Sequence, residues 1–354
     1  MKDLNPTTSV RPGETFPVER LVGYVRERIP GCEGDLEITQ FPNGKSNLTY
    51  RLAFENRVLV LRRPPFGTKA KSAHDMGREF RVMAAVKRFF EPLPGVYCHC
   101  GDEALIGSEF YLMEEVPGYA VGRRFPHEWQ WGRDEHERFC RHFWDVLIAL
   151  HSLDCRTPDL ACLGRPEGYE ARQIHGWNKR YRNAVTSDVP DGEEVMLWLE
   201  DRIPSGEQPS LIHNDYRIDN LILNPTQPSQ IAAVLDWEMA TVGNPLMDLG
   251  NSLAYWTEAD DGEADVGVAS QPSDEVGMFK RSEILAYYGE KTGRDLSQFD
   301  FYYVAGLFRL AGIVQQIYYR FYHGQTKDER FSRMGGTVRH LLARCRHVMA
   351  GGTF

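Results

Sequence analysis

Two acids and an amide in the second half of the chain have the types and spacing that phosphoryl transfer uses. The segment Leu211-Ile212-His213-Asn214-Asp215-Tyr216-Arg217-Ile218-Asp219-Asn220 is followed, sixteen residues beyond Asn220, by Val234-Leu235-Asp236-Trp237-Glu238. Transfer of a phosphoryl group needs a carboxylate near the accepting hydroxyl and oxygen ligands for Mg²⁺. An Asp, an Asn five residues on, and a second Asp after a short hairpin supply that set. Mg²⁺ takes hard oxygen donors and keeps several waters, so one amide oxygen and one carboxylate suffice beside nucleotide phosphates. The plainer alternative is that these acids only cap turns.

The pattern His213-x-Asp215-x4-Asn220 with a following Asp236 resembles the catalytic core of protein-kinase-like enzymes, and the tail from Asp236-Trp237-Glu238 to Asn244-Pro245-Leu246-Met247-Asp248 resembles the aminoglycoside phosphotransferase branch. The likeness runs from Arg11-Pro12-Gly13 to Phe308-Arg309-Leu310-Ala311 and is nearest to the kinase-like domains that also occur fused to acyl-CoA dehydrogenases. The resemblance implies that Asp215 is the catalytic base or hydroxyl-orienting group, that Asn220 and Asp236 hold Mg²⁺, and that Asp248 braces the catalytic loop. His213 then shapes that loop rather than moving protons. Asn244 stands where many relatives carry Asp, a departure from the pattern.

The first part of the chain offers phosphate contacts. Gly44-Lys45-Ser46 precedes a strand pattern, and Gly44 lets the backbone approach phosphates closely. The same three residues mimic the end of a P-loop, but Thr39 stands where that motif needs Gly and a strand follows where it needs a helix. A phosphate-covering turn fits better. Glu79 shares a helix face with Met76 and Met83, where an unpaired carboxylate is costly to bury, so it needs a cation. The kinase-like pattern draws that cation from the third strand, normally as Lys; here Arg62 stands after Val60-Leu61, with Arg63 beside it as the other candidate for the phosphate contact. Arg bridges carboxylate and phosphate through its fork, yet is not equivalent to Lys. By resemblance, Glu114 and Val116 lie where backbone groups bind the base of ATP or GTP.

These residues need elements to hold them. Val18, Leu21, Val22, Val25 and Ile29 fall at helical spacing over 17–29. Leu48, Tyr50, Leu52 and Phe54 alternate, Glu55-Asn56 interrupts, and Val58-Leu59-Val60-Leu61 follows, a β-hairpin pattern. Residues 72–90 return to helical spacing, opened by Ser72 with Asp75 three residues on in the manner of a capping box. Phe110 to Val116 reads as a strand. Beyond it the chain reads as mostly helical, over 133–152, 192–202, 280–293, 299–322 and 328–349, with short strands at 221–223 and 231–235. The simplest architecture is α+β: a small lobe with an antiparallel sheet over 1–116 and a larger helical lobe over 117–354. This agrees with the two-lobed protein-kinase-like fold that the resemblance implies.

Length and composition agree. At 354 residues, with about 150 per domain as a guide, two lobes are expected. The formal net charge of −9 projects no field suited to duplex nucleic acid or an anionic membrane. Seven cysteines without CxxC spacing read as reduced thiols, and Cys98-His99-Cys100 lacks the second ligand pair a zinc site needs. No run approaches the roughly 18 apolar residues of a membrane span, and the first residues carry no apolar signal segment, so a cytoplasmic protein is expected. His151, at a helix end, reads as a satisfied buried histidine.

The acceptor is less legible. An acidic stretch (Glu258, Asp260, Asp261, Glu263, Asp265) within a Gly/Ser/Pro-rich insertion over 257–276 would attract cationic aminosugars, or be only a solvated loop. Trp177, Lys179, Arg180, Tyr181 and Arg182 would hold an anionic substrate, or be a helix face with snorkelling side chains. Arg309 and Arg320, on an aromatic helix, would bind a carboxylate or pair with acids. The reading is a small-molecule kinase transferring the γ-phosphoryl of Mg·ATP to a hydroxyl of a metabolite, a hydroxyacyl compound before an aminoglycoside. A non-catalytic nucleotide-binding module that regulates a partner is the rival. A protein kinase ranks third, since the stretch from Asp236 to Asp248 is short for binding a peptide. Nothing in the pattern reports an oligomeric state.

Overall fold

The computed structural model describes residues 5–42, 47–65, 75–206, 208–262 and 271–353. By internal contacts the chain forms two compact units, Met1–Ala120 with Asn220–Met239, and Val121–Asp219 with Ala240–Phe354.

The first unit is built on a five-stranded antiparallel sheet of order β1-β2-β3-β5-β4: β1 (Glu37–Gln40), β2 (Leu48–Ala53), β3 (Val58–Arg63), β4 (Val96–Cys100) and β5 (Phe110–Glu114). Alternation sorts its side chains. Tyr50, Leu52, Leu59, Leu61, Phe110 and Leu112 are buried on one face with Leu21 and Val25 of α1 (Val18–Arg28), while the short α3 (Glu103–Ile106) adds Ile106. The other face meets α2 (Met76–Val86), which packs on β4 and β5 through Met76, Val82, Met83 and Val86. Because successive β-residues face opposite ways, Arg62 and Arg63 part company. Arg62 joins the α2 face. Arg63 turns to the α1 side, where its Nη1 donates to the Ile106 carbonyl at 3.1 Å.

The second helix starts later than its periodicity predicts. Asp75 is the N-cap, accepting from the Arg78 amide at 2.7 Å, and Ser72 lies outside the described residues. A second small sheet of this unit, β6 (Tyr119–Ala120), β8 (Leu221–Leu223) and β9 (Ile231–Val234), carries Asn220 directly before β8 and Asp236 two residues after β9, at the same end of the antiparallel pair. Leu221 pairs with Val234, and the Leu235 amide donates to the Asn220 carbonyl at 2.8 Å, so residues 220 and 235 are neighbours.

The second unit is mainly helical: α4 (Arg133–His151), α5 (Pro158–Ala161), α6 (Tyr169–Arg182), α7 (Glu193–Glu200), α8 (Pro245–Ala254), α9 (Arg281–Thr292), α10 (Phe299–Tyr322) and α11 (Met334–Met349). A two-stranded ladder, β7 (Ser210–Ile212) with β10 (Thr241–Gly243), had no periodic signature. Both α8 and α10 are buried on nearly all sides, as expected for helices at the centre of a bundle. They cross where glycines meet. A Cβ on Gly306 would stand 2.2 Å from the Gly250 carbonyl oxygen, and one on Gly250 equally close to the Tyr302 carbonyl.

The described ends of the 257–276 insertion are not a loosely solvated loop. Thr257, Gln271 and Ser273 are buried, and the Thr257 amide donates to Ser273 Oγ at 2.9 Å. Among the described residues no helix is long and apolar enough to cross a membrane. Because the α8–α10 crossing has no room for a side chain, Gly306→Val should lower stability by roughly 1–3 kcal/mol in urea unfolding, the cost of overpacking. An unchanged midpoint would contradict that crossing.

Candidate functional site

In the second unit the residues singled out from the sequence sit in the loop after β7. Asp248, in the first turn of α8 and without solvent exposure, accepts the His213 amide on Oδ2 and the Asn214 amide on Oδ1, each at 2.7 Å. The buried His151 places its Nε2 3.1 Å from Asp248 Oδ2 and its Nδ1 2.8 Å from the Tyr288 hydroxyl. Burial alone would raise the Asp248 pKa. The hydrogen bond and charge of His151 and the loop amides outweigh it and hold the carboxyl below its ordinary value. Burial lowers the His151 pKa below the ordinary imidazole value, and the hydrogen bond and charge of Asp248 offset this only in part.

His213 is fully buried, and its Nδ1 accepts the Asp215 amide at 3.3 Å, which fits a shaping role. Asn214 has φ +65°, in the left-handed region that Asn tolerates better than most residues. Three groups hold it there. Tyr169 Oη and Asn251 Nδ2 donate to its side-chain oxygen at 3.0 and 3.3 Å, and Arg309 Nη2 donates to its carbonyl at 2.9 Å. Asp215 thus leaves a loop fixed from α6, α8 and α10. Asn244 caps α8 by accepting the Leu246 amide at 2.8 Å, and its Nδ2 donates to Glu170 at 2.6 Å. A carboxylate there would meet Glu170 with like charge.

In the first unit a second constellation forms around Arg62. Its Nη2 donates to Asp236 Oδ1 at 2.5 Å, and its Nε lies 3.3 Å from Glu79 Oε2, with the Glu79 side chain fully buried. The cation that Glu79 required is therefore Arg62, shared with Asp236. Burial pushes the Glu79 carboxyl up, Arg62 opposes, and the nearby Asp236 and Glu238 push it up further. Burial would lower Arg62, but Glu79 and Asp236 outweigh it and keep the guanidinium charged. Asp236 has φ +67°, which re-aims the chain after β9. Glu238 is tied down as well: Asn47 Nδ2 donates to its carboxylate at 3.0 Å, and Arg78 donates to its carbonyl.

Gly44, Lys45 and Ser46 lie outside the described residues. Glu114 ends β5, its amide donating to the Gly95 carbonyl at 2.7 Å and its carboxylate accepting the Gly95 amide at 3.0 Å. Val116, two residues on, is half-buried. Among the described residues no three His, Cys, Asp or Glu side chains converge as a metal site. The amide oxygen of Asn220 and the carboxylate of Asp236, brought near by the Leu235 to Asn220 bond, are hard donors that suit Mg²⁺ if phosphates and water complete its shell.

Sequence reasoning missed Asn214, whose signal is an Asn directly before the acid and after a short apolar strand. It also missed Arg217. Its Nε lies 3.2 Å from Asp215 Oδ1 and its guanidinium stacks 4.6 Å above the Tyr255 ring. Arg309 was noted for its charge but not for its hold on Asn214.

An antiparallel-sheet unit with a buried Arg–Glu pair, and a helical unit with a carboxylate-braced loop, define the protein-kinase-like class. The chain matches the sequence model of the phosphotransferase enzyme family over residues 37–283 and belongs to that family. A crystal structure from Ralstonia eutropha JMP134, provisionally described as an aminoglycoside phosphotransferase, is 30% identical with a TM-score of 0.82, covering 96% of this chain and 100% of that one. Acyl-CoA dehydrogenase family member 10 of Mus musculus is 33% identical over 332 residues, covering 93% of this chain and 31% of the relative. Family member 11 of Rattus norvegicus is 32% identical over 346 residues, covering 95% and 43%. The chain spans less than half the length of these two relatives. A thermostable mutant of an aminoglycoside phosphotransferase, solved with AMP-PNP and hygromycin B, is 16% identical with a TM-score of 0.58, covering 91% of this chain and 97% of that one, and shares the fold.

Arg62→Met leaves the buried Glu79 without its cation and should cost roughly 3–5 kcal/mol of stability, while Arg62→Met combined with Glu79→Leu should recover most of that loss. Chemical denaturation checks this. Strictly additive losses would contradict the pairing.

Proposed function

We propose that this chain transfers the γ-phosphoryl group of Mg·ATP, with GTP as the alternative donor, to a hydroxyl of a small metabolite. The observation that supports this best is the left-handed backbone at Asn214 and Asp236, φ +65° and +67°. Strained non-glycine residues persist where surroundings over-determine them, and they cluster at working sites. Here they fall directly before one candidate acid and on the other.

In this reading Asp215 orients the acceptor hydroxyl and takes its proton. Asn220 and Asp236 hold Mg²⁺, which neutralises phosphate charge when bound. Arg62 fixes Asp236 and reaches phosphate oxygens, backbone groups at Glu114 and Val116 meet the base, and Gly44, Lys45 and Ser46 cover the phosphates. Positioning and charge stabilisation supply most of the rate.

For the acceptor, a hydroxylated metabolite such as a hydroxyacyl compound is favoured over an aminosugar. The described carboxylates of the acidic insertion are already engaged: Lys280 meets Asp260 at 2.7 Å, while Arg281 meets Glu258 at 3.0 Å and Asp261 at 2.5 Å. Acids neutralised within the chain attract cations weakly. The relatives named for acyl-CoA dehydrogenases point the same way. Action in the cytoplasm without nucleic acid or membrane completes the proposal.

One observation favours a second reading. Arg62 holds Asp236 at 2.5 Å, as it would in a nucleotide-binding module that regulates a partner without catalysis. Incubation of the chain with Mg·[γ-³²P]ATP and a small-metabolite extract separates the two. The kinase reading predicts a labelled small molecule that Asp215→Ala reduces by at least roughly 100-fold. Equal background label with both proteins, in extracts rich in hydroxy acids, would favour the regulatory module.

A further inference from the structure

We infer that Arg217 is a positioning residue for the transfer, holding the Asp215 carboxylate in the orientation that receives the acceptor hydroxyl; this rests on the kinase reading of Asp215. The chi-2 torsion of Asp is a broad, roughly two-fold rotor, so a carboxylate in a loop has no intrinsic direction. Something outside the residue must set it.

Arg217 is placed to do so. Its Nε lies 3.2 Å from Asp215 Oδ1 and its Nη2 3.3 Å from Asp219 Oδ2, so one planar fork spans both acids. The three side chains are 15%, 21% and 15% exposed. Such a pair is screened less than the surface pairs that contribute little to stability.

The guanidinium is itself fixed. It lies 4.6 Å over the ring of Tyr255, the residue that closes α8. The first turn of that helix bears Asp248, which holds the amides of His213 and Asn214. Gln271 joins the platform to the loop from the other side. Its Oε1 accepts the Ile218 amide at 2.8 Å and its Nε2 donates to the Tyr255 carbonyl at 3.2 Å. One helix therefore sets the backbone before Asp215 through Asp248, and the carboxylate of Asp215 through Tyr255 and Arg217. Asp219 holds the far end of the fork, which keeps the guanidinium from sliding along the ring.

The role predicts a specific split. Loss of Arg217 releases the Asp215 carboxylate and leaves the residues proposed for nucleotide and metal unsubstituted. In the labelled transfer assay with saturating Mg·ATP, Arg217→Ala should be slower by roughly 100-fold, the scale of a misplaced reacting group. The half-saturating Mg·ATP concentration should stay within about twofold of the parent value. Guanidinium ion at low millimolar concentration should restore part of the Arg217→Ala rate, and Tyr255→Leu should show a smaller loss of the same kind. A transfer rate within about threefold of the parent, or a loss carried by half-saturation alone, would overturn the inference.

A second measurement does not need activity. Melting temperatures of Asp215→Asn, Arg217→Gln and the double variant should be non-additive, because neighbouring partners in one ion pair couple. Additive shifts would overturn the hold of Arg217 on Asp215, whether or not the parent transfers label. A parent that transfers nothing while the shifts remain non-additive removes the kinase reading and leaves that hold standing.

Discussion

A carboxylate without solvent contact organises the loop that carries Asp215. Burying the Asp248 charge is expensive unless hydrogen bonds replace its water, and here two backbone amides at 2.7 Å and the buried His151 do so. The exchange works in both directions. Asp248 obtains partners it cannot do without, and the amides of His213 and Asn214 are fixed in direction. From that constraint follow the left-handed Asn214 and the grip of Arg309 on its carbonyl. The glycine crossing of α8 and α10 has the same sense, because it lets the helices bearing Asp248 and Arg309 approach at backbone distance.

The first unit solves a related problem differently. Glu79 is fully buried, and its cation is shared with Asp236. One nearly buried guanidinium thus ties the acid on α2 to the acid after β9. Asp236 keeps its direction through a strained backbone and the ladder before it.

Much of this could be read from the residues, for identifiable reasons. Long helices with strong periodicity, such as Phe299–Tyr322, and the hairpin over 48–63 are set by local pattern. The need of Glu79 for a cation follows from the apolar face it shares with Met76 and Met83. Other features depend on register or distance. Only the pleat of β3 tells which of Arg62 and Arg63 faces α2. The ladder of Ser210–Ile212 with Thr241–Gly243 has three residues a strand, too few for a period. The described acids of the insertion, Glu258, Asp260 and Asp261, looked solvated because their partners come from elsewhere: Lys280 and Arg281 at the start of α9, and Arg344 from α11, 3.7 Å from Asp261. No composition rule anticipates such pairing. The family resemblance supplied roles for Asp215, Asn220, Asp236 and Asp248, whereas Asn214 and Arg217 emerged from geometry.

The brace itself can be measured without a substrate. Hydrogen exchange of the peptide spanning His213 to Asp215 compares the parent with Asp248→Asn, with peptides from α10 as an internal reference. The account predicts strong protection of that peptide in the parent and its loss in the variant, while α10 keeps its own. Equal protection in both proteins would show that the loop holds its form without Asp248, and would contradict the central claim.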